Sequence, residues 1–309
     1  MRRYHAPASR RSSAVAVVLA ACSWAAPFVG AQSEPGPAGL RSAAVDKHRF
    51  TLFRPTPREA MREMSTDRPD ATESPITVDA GHVQVEVSLI DYARRDDAGA
   101  RTTALSVLPA NVKFGLSNDV DVQLVFTPHT RVEEGAHGSQ HRVAGFSDDT
   151  QIRLKINLWG NDGPHPTFGD TAFGIMPFIK LPTGAGELSN DHVEGGLIFP
   201  FAAALPAAWG LGVMAEFDFV FDEGAGGYGI HFVHTATTGH EVPAVAGLGF
   251  FVEYLGVAPF EGGGEYQAIA SGGLTYAVSE DWGIDGGGQV GLSDSADDFT
   301  IFVGTSLRF

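Results

Sequence analysis

The sequence predicts an all-β fold, a closed antiparallel transmembrane β-barrel of about twelve strands behind an irregular N-terminal arm. Three observations lead there. A basic and apolar leader opens the chain, period-two alternation recurs along residues 81–309, and the last strand ends in a C-terminal phenylalanine, Phe309.

Composition sets the frame. The 309 residues carry only 19% charged side chains, 38 glycines and a mean hydropathy of −0.01. That is too apolar for a disordered chain and too rich in glycine for a helical one. The formal net charge is −16, with no basic patch, which excludes nucleic acid as a partner.

The leader comes first. Arg2, Arg3, Arg10 and Arg11 precede an uncharged stretch at 12–30 that ends Val29-Gly30-Ala31. A basic segment, an apolar segment and small residues before a cleavage point read as a secretory signal over 1–31. Without it the balance is 17 basic to 37 acidic residues, a net of −20. The single cysteine, Cys22, falls inside this leader, so the mature chain forms no disulfide and no cysteine-based metal site. Leu19-Ala20-Ala21-Cys22 also resembles a lipoprotein cleavage box, an alternative to cleavage near Ala31.

Residues 32–80, rich in Pro, Arg and Asp and without periodicity, read as an irregular arm or plug. From 81 onward the pattern alternates. Val83, Val85, Val87 and Leu89 share one face, with Gln84, Glu86 and Ser88 on the other; Ile152, Leu154, Ile156 and Leu158 oppose Gln151, Arg153, Lys155 and Asn157. Such alternation marks strands with one apolar face. Twelve segments follow, near 81–94, 101–116, 120–133, 148–159, 169–183, 193–205, 211–222, 228–239, 243–257, 265–279, 283–293 and 299–309. Most approach the length of roughly 9–11 residues that a tilted membrane strand needs. The uncharged window 195–215 is interrupted by Pro200, Pro206, Gly210 and Gly212 and reads as two strands and a turn.

The connections at 117–119, 206–209 and 279–282 read as tight turns, and those at 134–147, 184–192 and 258–264 as longer loops. That is the asymmetry of outer-membrane barrels. The linker at 160–168 breaks it, since by parity it belongs on the short side. In the last segment Ile301, Val303, Thr305, Leu307 and Phe309 share a face. A terminal strand ending in Phe309 looks like the signal read by the barrel assembly machinery of the bacterial outer membrane. The expected partners are therefore that machinery, outer-membrane lipid and a small-molecule substrate.

Two segments carry a family resemblance. Thr66-Asp67-Arg68-Pro69-Asp70-Ala71-Thr72-Glu73-Ser74-Pro75, followed by Thr77, Val78, Gly81, Gln84 and Glu86, resembles the opening of the outer-membrane transporter family labelled for a MetA pathway of phenol degradation. The stretch from Trp282 through Phe299 and Gly304 to Phe309 resembles its end, and Asp148–Lys155, 181–184 and Glu253 sit where family landmarks fall. The resemblance implies a twelve-strand-like barrel and uptake of aromatic or other apolar compounds. It brings no catalytic residues.

If the aliphatic faces meet lipid, the opposite faces line the lumen. The pore-lining candidates are Gln84, Glu86, Lys113, Gln123, Arg153, Lys155, Lys180, Glu216, Asp218, Glu253 and Gln289. A Lys or Arg on the lipid face at mid-bilayer costs about 2–4 kcal/mol, which turns these charges inward. They could shape a pore or simply neutralise one another. In the arm motif Asp67, Arg68, Asp70 and Glu73 could bridge to the lumen wall or cap the rim.

The rival classes are an outer-membrane hydrolase and a structural barrel without transport. His231 or His137 with Ser139 could be imagined in a hydrolase, yet nothing fixes a nucleophile, base and orienting group. Motifs for nucleotide, dinucleotide or zinc binding are missing, so no cofactor is expected. His231 and His234, three apart on a strand, point to opposite faces, and His129, His137 and His141 sit in or beside a loop; no metal site is expected. The expected function is passive or facilitated passage of small molecules.

Overall fold

The computed structural model describes residues 45–97, 99–136, 139–259 and 264–309. The leader with Cys22, the arm at 32–44 and His137 lie outside the described residues, as do the side chains of Ser139 and Asp148.

Thirteen strand segments form one antiparallel sheet: β1 (Val83–Asp97), β2 (Ala100–Val107), β3 (Ala110–Gly115), β4 (Val120–Ala136), β5 (Ser139–Trp159), β6 (Thr171–Lys180), β7 (Glu194–Leu205), β8 (Trp209–Asp222), β9 (Gly227–Glu241), β10 (Leu248–Pro259), β11 (Gln267–Ser279), β12 (Trp282–Gly291) and β13 (Phe299–Arg308). Segments β2 and β3 are one stave. Leu108, at φ 56°, and Pro109 interrupt its ladder, and both halves pair with β1 on one side and β4 on the other. Proline has no N–H to give a ladder, so the break falls where the sequence places it. The barrel therefore has twelve staves.

Closure comes from β13 pairing with β1, in the register Val85↔Leu307 and Ser88↔Gly304. A bulge between Ser88 and Ile90 turns Leu89 and Ile90 both outward and brings Asp91 to the inside. Without edges, every strand finds partners on both sides, which is the condition for a sheet in lipid. Among the described residues no helix is long and apolar enough to cross a membrane. The 195–215 window is β7, a turn in which Ala207 and Ala208 adopt positive φ, and β8.

Two boundaries depart from expectation, and the long linker after β5 does not. Residues 134–136 and 139–147 are not a loop: β4 and β5 continue through them, with Val132 opposite Val143. Their inward valines pack with Ala104 against Leu188 of the 181–193 loop, so a satellite core extends this hairpin beyond the wall. Strand β10 starts at Leu248, because 242–247 form the turn before it. The 160–170 connection is long although it lies on the side of the short turns. Trp159, His165, Phe168 and Phe173 cluster there, with ring centroids 4.7–5.6 Å apart.

Both ends of the barrel chain lie at one end, the periplasmic end in a barrel of this kind. Trp159, Trp209 and Trp282 sit at that end of β5, β8 and β12. They form part of the aromatic girdle that membrane barrels place at the interface. The outer face between is aliphatic, with Ile152, Leu158, Leu274, Ile301 and Val303 exposed.

The arm is built into this barrel. Residues 46–65 run along the periplasmic end: Thr51 bridges to Ser117, Thr56 N–H donates to the Ala80 carbonyl, and Arg62 reaches Thr77, Asp79 and Asn118. At Gly115 the wall comes so close to the arm that an added Cβ would lie 2.1 Å from the Asp79 carbonyl oxygen. Gly115→Ala is therefore expected to destabilise the barrel by about 1–3 kcal/mol, the cost of overpacking. Gly135→Ala, where nothing lies within 4 Å, should not. Urea unfolding of the refolded barrel, read by gel mobility with and without heating, checks the pair.

Candidate functional site

The site is the barrel interior, and the arm occupies it. Residues 66–79 are almost all buried, and their polar groups meet partners from strands all round the wall. Asp67 is at the centre. Lys155 donates to its Oδ1 at 2.6 Å, Lys113 pairs with its other oxygen, and its own N–H donates to Glu86 at 2.9 Å. Lys113 also meets Glu86 at 2.5 Å, and Gln84 donates to Glu86 at 2.8 Å and to the Ser65 carbonyl at 2.7 Å. One network thus joins β1, β3, β5 and the arm.

Further contacts hold the rest. Arg68 makes a bidentate pair with Asp285 of β12, at 2.6 and 3.0 Å, and donates to Ser88. Planar two-point pairing of this sort fixes orientation as well as charge. Glu253 of β10 accepts from the Ala71 N–H at 2.8 Å and the Thr72 hydroxyl at 2.8 Å. Arg153 of β5 pairs with Glu73 at 2.5 Å. Asn157 donates to the Pro75 carbonyl, and Asp121 accepts from Val78 N–H. Gly304 leaves room for Arg68, whose guanidinium lies 2.3 Å from where a Cβ would stand.

The pore-lining candidates fall into groups. Gln84, Glu86, Lys113, Lys155, Arg153 and Glu253 all touch the arm directly. Gln123 is buried among Asn111 and Asp121 beside that network. Lys180 pairs with Glu194 at 2.9 Å towards the far end. Glu216 and Asp218 face inward on β8, each with one oxygen that has no hydrogen-bond partner. Gln289 is half-buried and faces inward opposite Ser271. In the motif, Thr66 donates to the Arg68 carbonyl, and Pro69 and Asp70 line a cavity.

Sequence reasoning missed Asp121 and Asp285, and placed Asn157 on the polar face without counting it among the pore-lining candidates. Each sits an even number of positions from a chosen candidate or on the same face, so alternation could have found them. It also missed an apolar interior. Met176, Ile198, Met214, Val233, Leu255 and Ile269 point inward and form a core with Ala71 of the arm. Strands β6 and β7 are apolar on both faces, which erases the alternation that would have told inside from outside.

A cavity of about 150 Å³ remains between the arm and β8–β13, at the periplasmic half of the lumen. Its wall includes Glu63, Arg68, Asp70, Phe251 and Asp285, with several inward glycines, and Glu241 at its mouth. Partial burial, with the Glu241 charge, pushes the Glu63 carboxyl above its usual range, against the pull of Arg308. In the turn between β11 and β12 burial would raise Asp281, but Arg308, donating at 2.8 Å, and Arg58 hold it below.

The arm's clamps are ion pairs with both members buried. Removing one member leaves an uncompensated charge, at a cost of about 3–5 kcal/mol. Lys155→Met and Arg153→Met should each lower the unfolding free energy of the folded barrel by about that much. Gln289→Ala should change it little. Denaturant titration in lipid vesicles measures all three, and an unaffected Lys155→Met would show that the arm is not held this way.

The fold has relatives among solved structures. An outer-membrane channel from Pseudomonas putida F1 superimposes with a TM-score of 0.56 at 10% identity, covering 79% of this chain and 99% of that one. The NanC porin (TM-score 0.44, 10% identity, 72% and 100% covered) and the CymD monoaromatic hydrocarbon channel (0.40, 10%, 74% and 87%) resemble it less. No curated protein sequence matches the chain. The family described as "Putative MetA-pathway of phenol degradation" matches residues 66–309, from the first residue of the arm motif to the terminal phenylalanine. With its closed twelve-stave barrel, its outer-membrane architecture and that match over most of its length, the chain belongs to this family.

Proposed function

We propose that the protein is an outer-membrane channel that lets small molecules pass by passive or facilitated diffusion, and not an enzyme. The observation that carries this reading is the divided interior. An arm from outside the wall enters the lumen, is held there largely through polar and ionic contacts, and leaves a cavity along one side. A barrel with no traffic could fill its interior with the apolar side chains seen on β6–β11, at no cost in buried charge. The charged wall and the separable filling suit a passage whose width the arm sets.

Family membership supports small, apolar or aromatic solutes, and the apolar core beside the arm offers such solutes a surface. The Pseudomonas putida relative is called a channel, which agrees with this direction. Against hydrolysis, no serine hydroxyl is hydrogen-bonded to a histidine ring among the described residues. His141 meets only Glu187, at 2.8 Å on the surface, and His234 meets the Tyr266 hydroxyl.

The test is reconstitution. The mature chain, folded into planar bilayers and into vesicles, should give a steady conductance and a selective flux of phenol-sized solutes. Arg153→Gln and Lys155→Gln should change conductance or selectivity severalfold in barrels that remain heat-modifiable. A folded barrel with neither conductance nor flux would sink the reading.

A further inference from the structure

The cavity beside the arm is lined by a buried carboxyl that is paired with no cation among the described residues. Asp70 lines it and is 4% exposed. Its hydrogen-bond partners are the Thr237 hydroxyl and its own backbone N–H, and it is joined to no lysine or arginine among the described residues. Behind it stands the carboxylate of Glu253, bound to arm N–H and hydroxyl groups and likewise without a cation. The cavity's one cation, Arg68, is already engaged by Asp285 through both oxygens. Glu63 and Glu241 add two more negative charges. Every other buried arm carboxylate meets a cation or several donors: Asp67 has Lys113 and Lys155, and Glu73 has Arg153. Asp70 is the exception, and it faces the open space.

The rest of the wall is apolar or bare. Phe251 contributes its ring and Met64 its thioether. Several inward positions of the surrounding strands are glycines, and at Gly210 and Gly283 an added Cβ would meet nothing closer than 3.8 Å. The space is kept open by the sequence at those positions. A volume of about 150 Å³ matches an internal cavity that admits one benzene ring.

We propose that this chamber binds small organic ammonium ions, one aromatic or aliphatic ring in size, with the ammonium on Asp70 and the ring against Phe251 and the glycine wall. The chemistry selects for that class. A buried carboxylate lacking a cationic partner favours a cation that brings its own hydrogen-bond donors. The phenyl ring adds attraction for a cation and apolar contact for the body. Anions of the same shape meet Glu63 and Glu241 at the mouth and are repelled. The assignment rests on the channel reading only in placing the chamber at the periplasmic end of the passage, and binding is measurable without transport.

The experiment is equilibrium titration calorimetry on the full mature barrel in detergent, with benzylammonium, benzyl alcohol and benzoate as probes of equal shape and different charge. Benzylammonium should bind, benzyl alcohol at least about tenfold more weakly, and benzoate not measurably. Asp70→Asn should weaken benzylammonium by at least about tenfold and leave benzyl alcohol within about twofold. Gly283→Leu, whose side chain enters the space beside the flexible Met64, should abolish binding of both while the barrel still folds. Should Asp70→Asn fail to fold, Glu63→Gln at the mouth replaces it, with a severalfold loss expected for benzylammonium alone. Equal affinity for the ammonium and the alcohol, insensitivity to both carboxylate variants, or no binding of benzylammonium overturns the proposal. A barrel that conducts yet shows no ammonium preference overturns this assignment and leaves the channel reading standing.

Discussion

Charge inside a barrel has nowhere to go but to another charge. The wall of this protein turns Lys113, Lys155, Arg153, Glu86, Glu253 and Asp285 inward, where lipid outside and neighbouring side chains within deny them bulk water. The pairing of Asp67 with both lysines is the central solution. It explains why an arm that has almost no regular secondary structure is nonetheless fixed in the lumen. Its backbone N–H groups at 67, 71 and 78 each find a wall carboxylate, Glu86, Glu253 and Asp121 in turn. The wall strands supply the hydrogen bonds that a helix or sheet would have supplied within the arm itself.

This arrangement binds folding of the wall to placement of the arm. Without Asp67 and Glu73, three cations would stand buried in the lumen with fewer partners. Without the wall, residues 66–79 would have no structure to adopt. Gly115 and Gly304 make the closeness possible, one giving passage to the Asp79 carbonyl and the other to the Arg68 guanidinium. The interior is thereby split into three: an ionic zone at β1, β3 and β5, an apolar core on β6–β11, and an open acidic chamber towards the periplasm.

Much of this was legible in order of residues. Alternation in 81–89 and 151–158 puts Gln84, Glu86, Arg153 and Lys155 on polar faces, and those side chains are buried in the structure, because a strand in lipid with one polar face has a single tolerable orientation. The arm motif was recognisable as a unit, and proline and glycine marked the turn between β7 and β8. Where alternation failed, so did the reading. Only the outer end of the β4–β5 hairpin, within 134–147, reads as a loop, because its glycines, histidines and acids look like one; the valines that extend it answer to Leu188, which is distant in sequence.

The sequence by itself determined the class of the fold, the approximate number of strands and the face on which most charges lie. Those follow from local periodicity and from the insolubility of charge in hydrocarbon, and both are properties of short segments. Only the tertiary structure decided that Asp67 meets Lys113 and Lys155, that Met176 and Met214 point into the lumen, and that Asp70 faces a cavity whose arginine, Arg68, is paired with Asp285. Those depend on closure of the ring and on the path of the arm across it. Both bring together residues from strands far apart in the chain, and no spacing within a single strand encodes them.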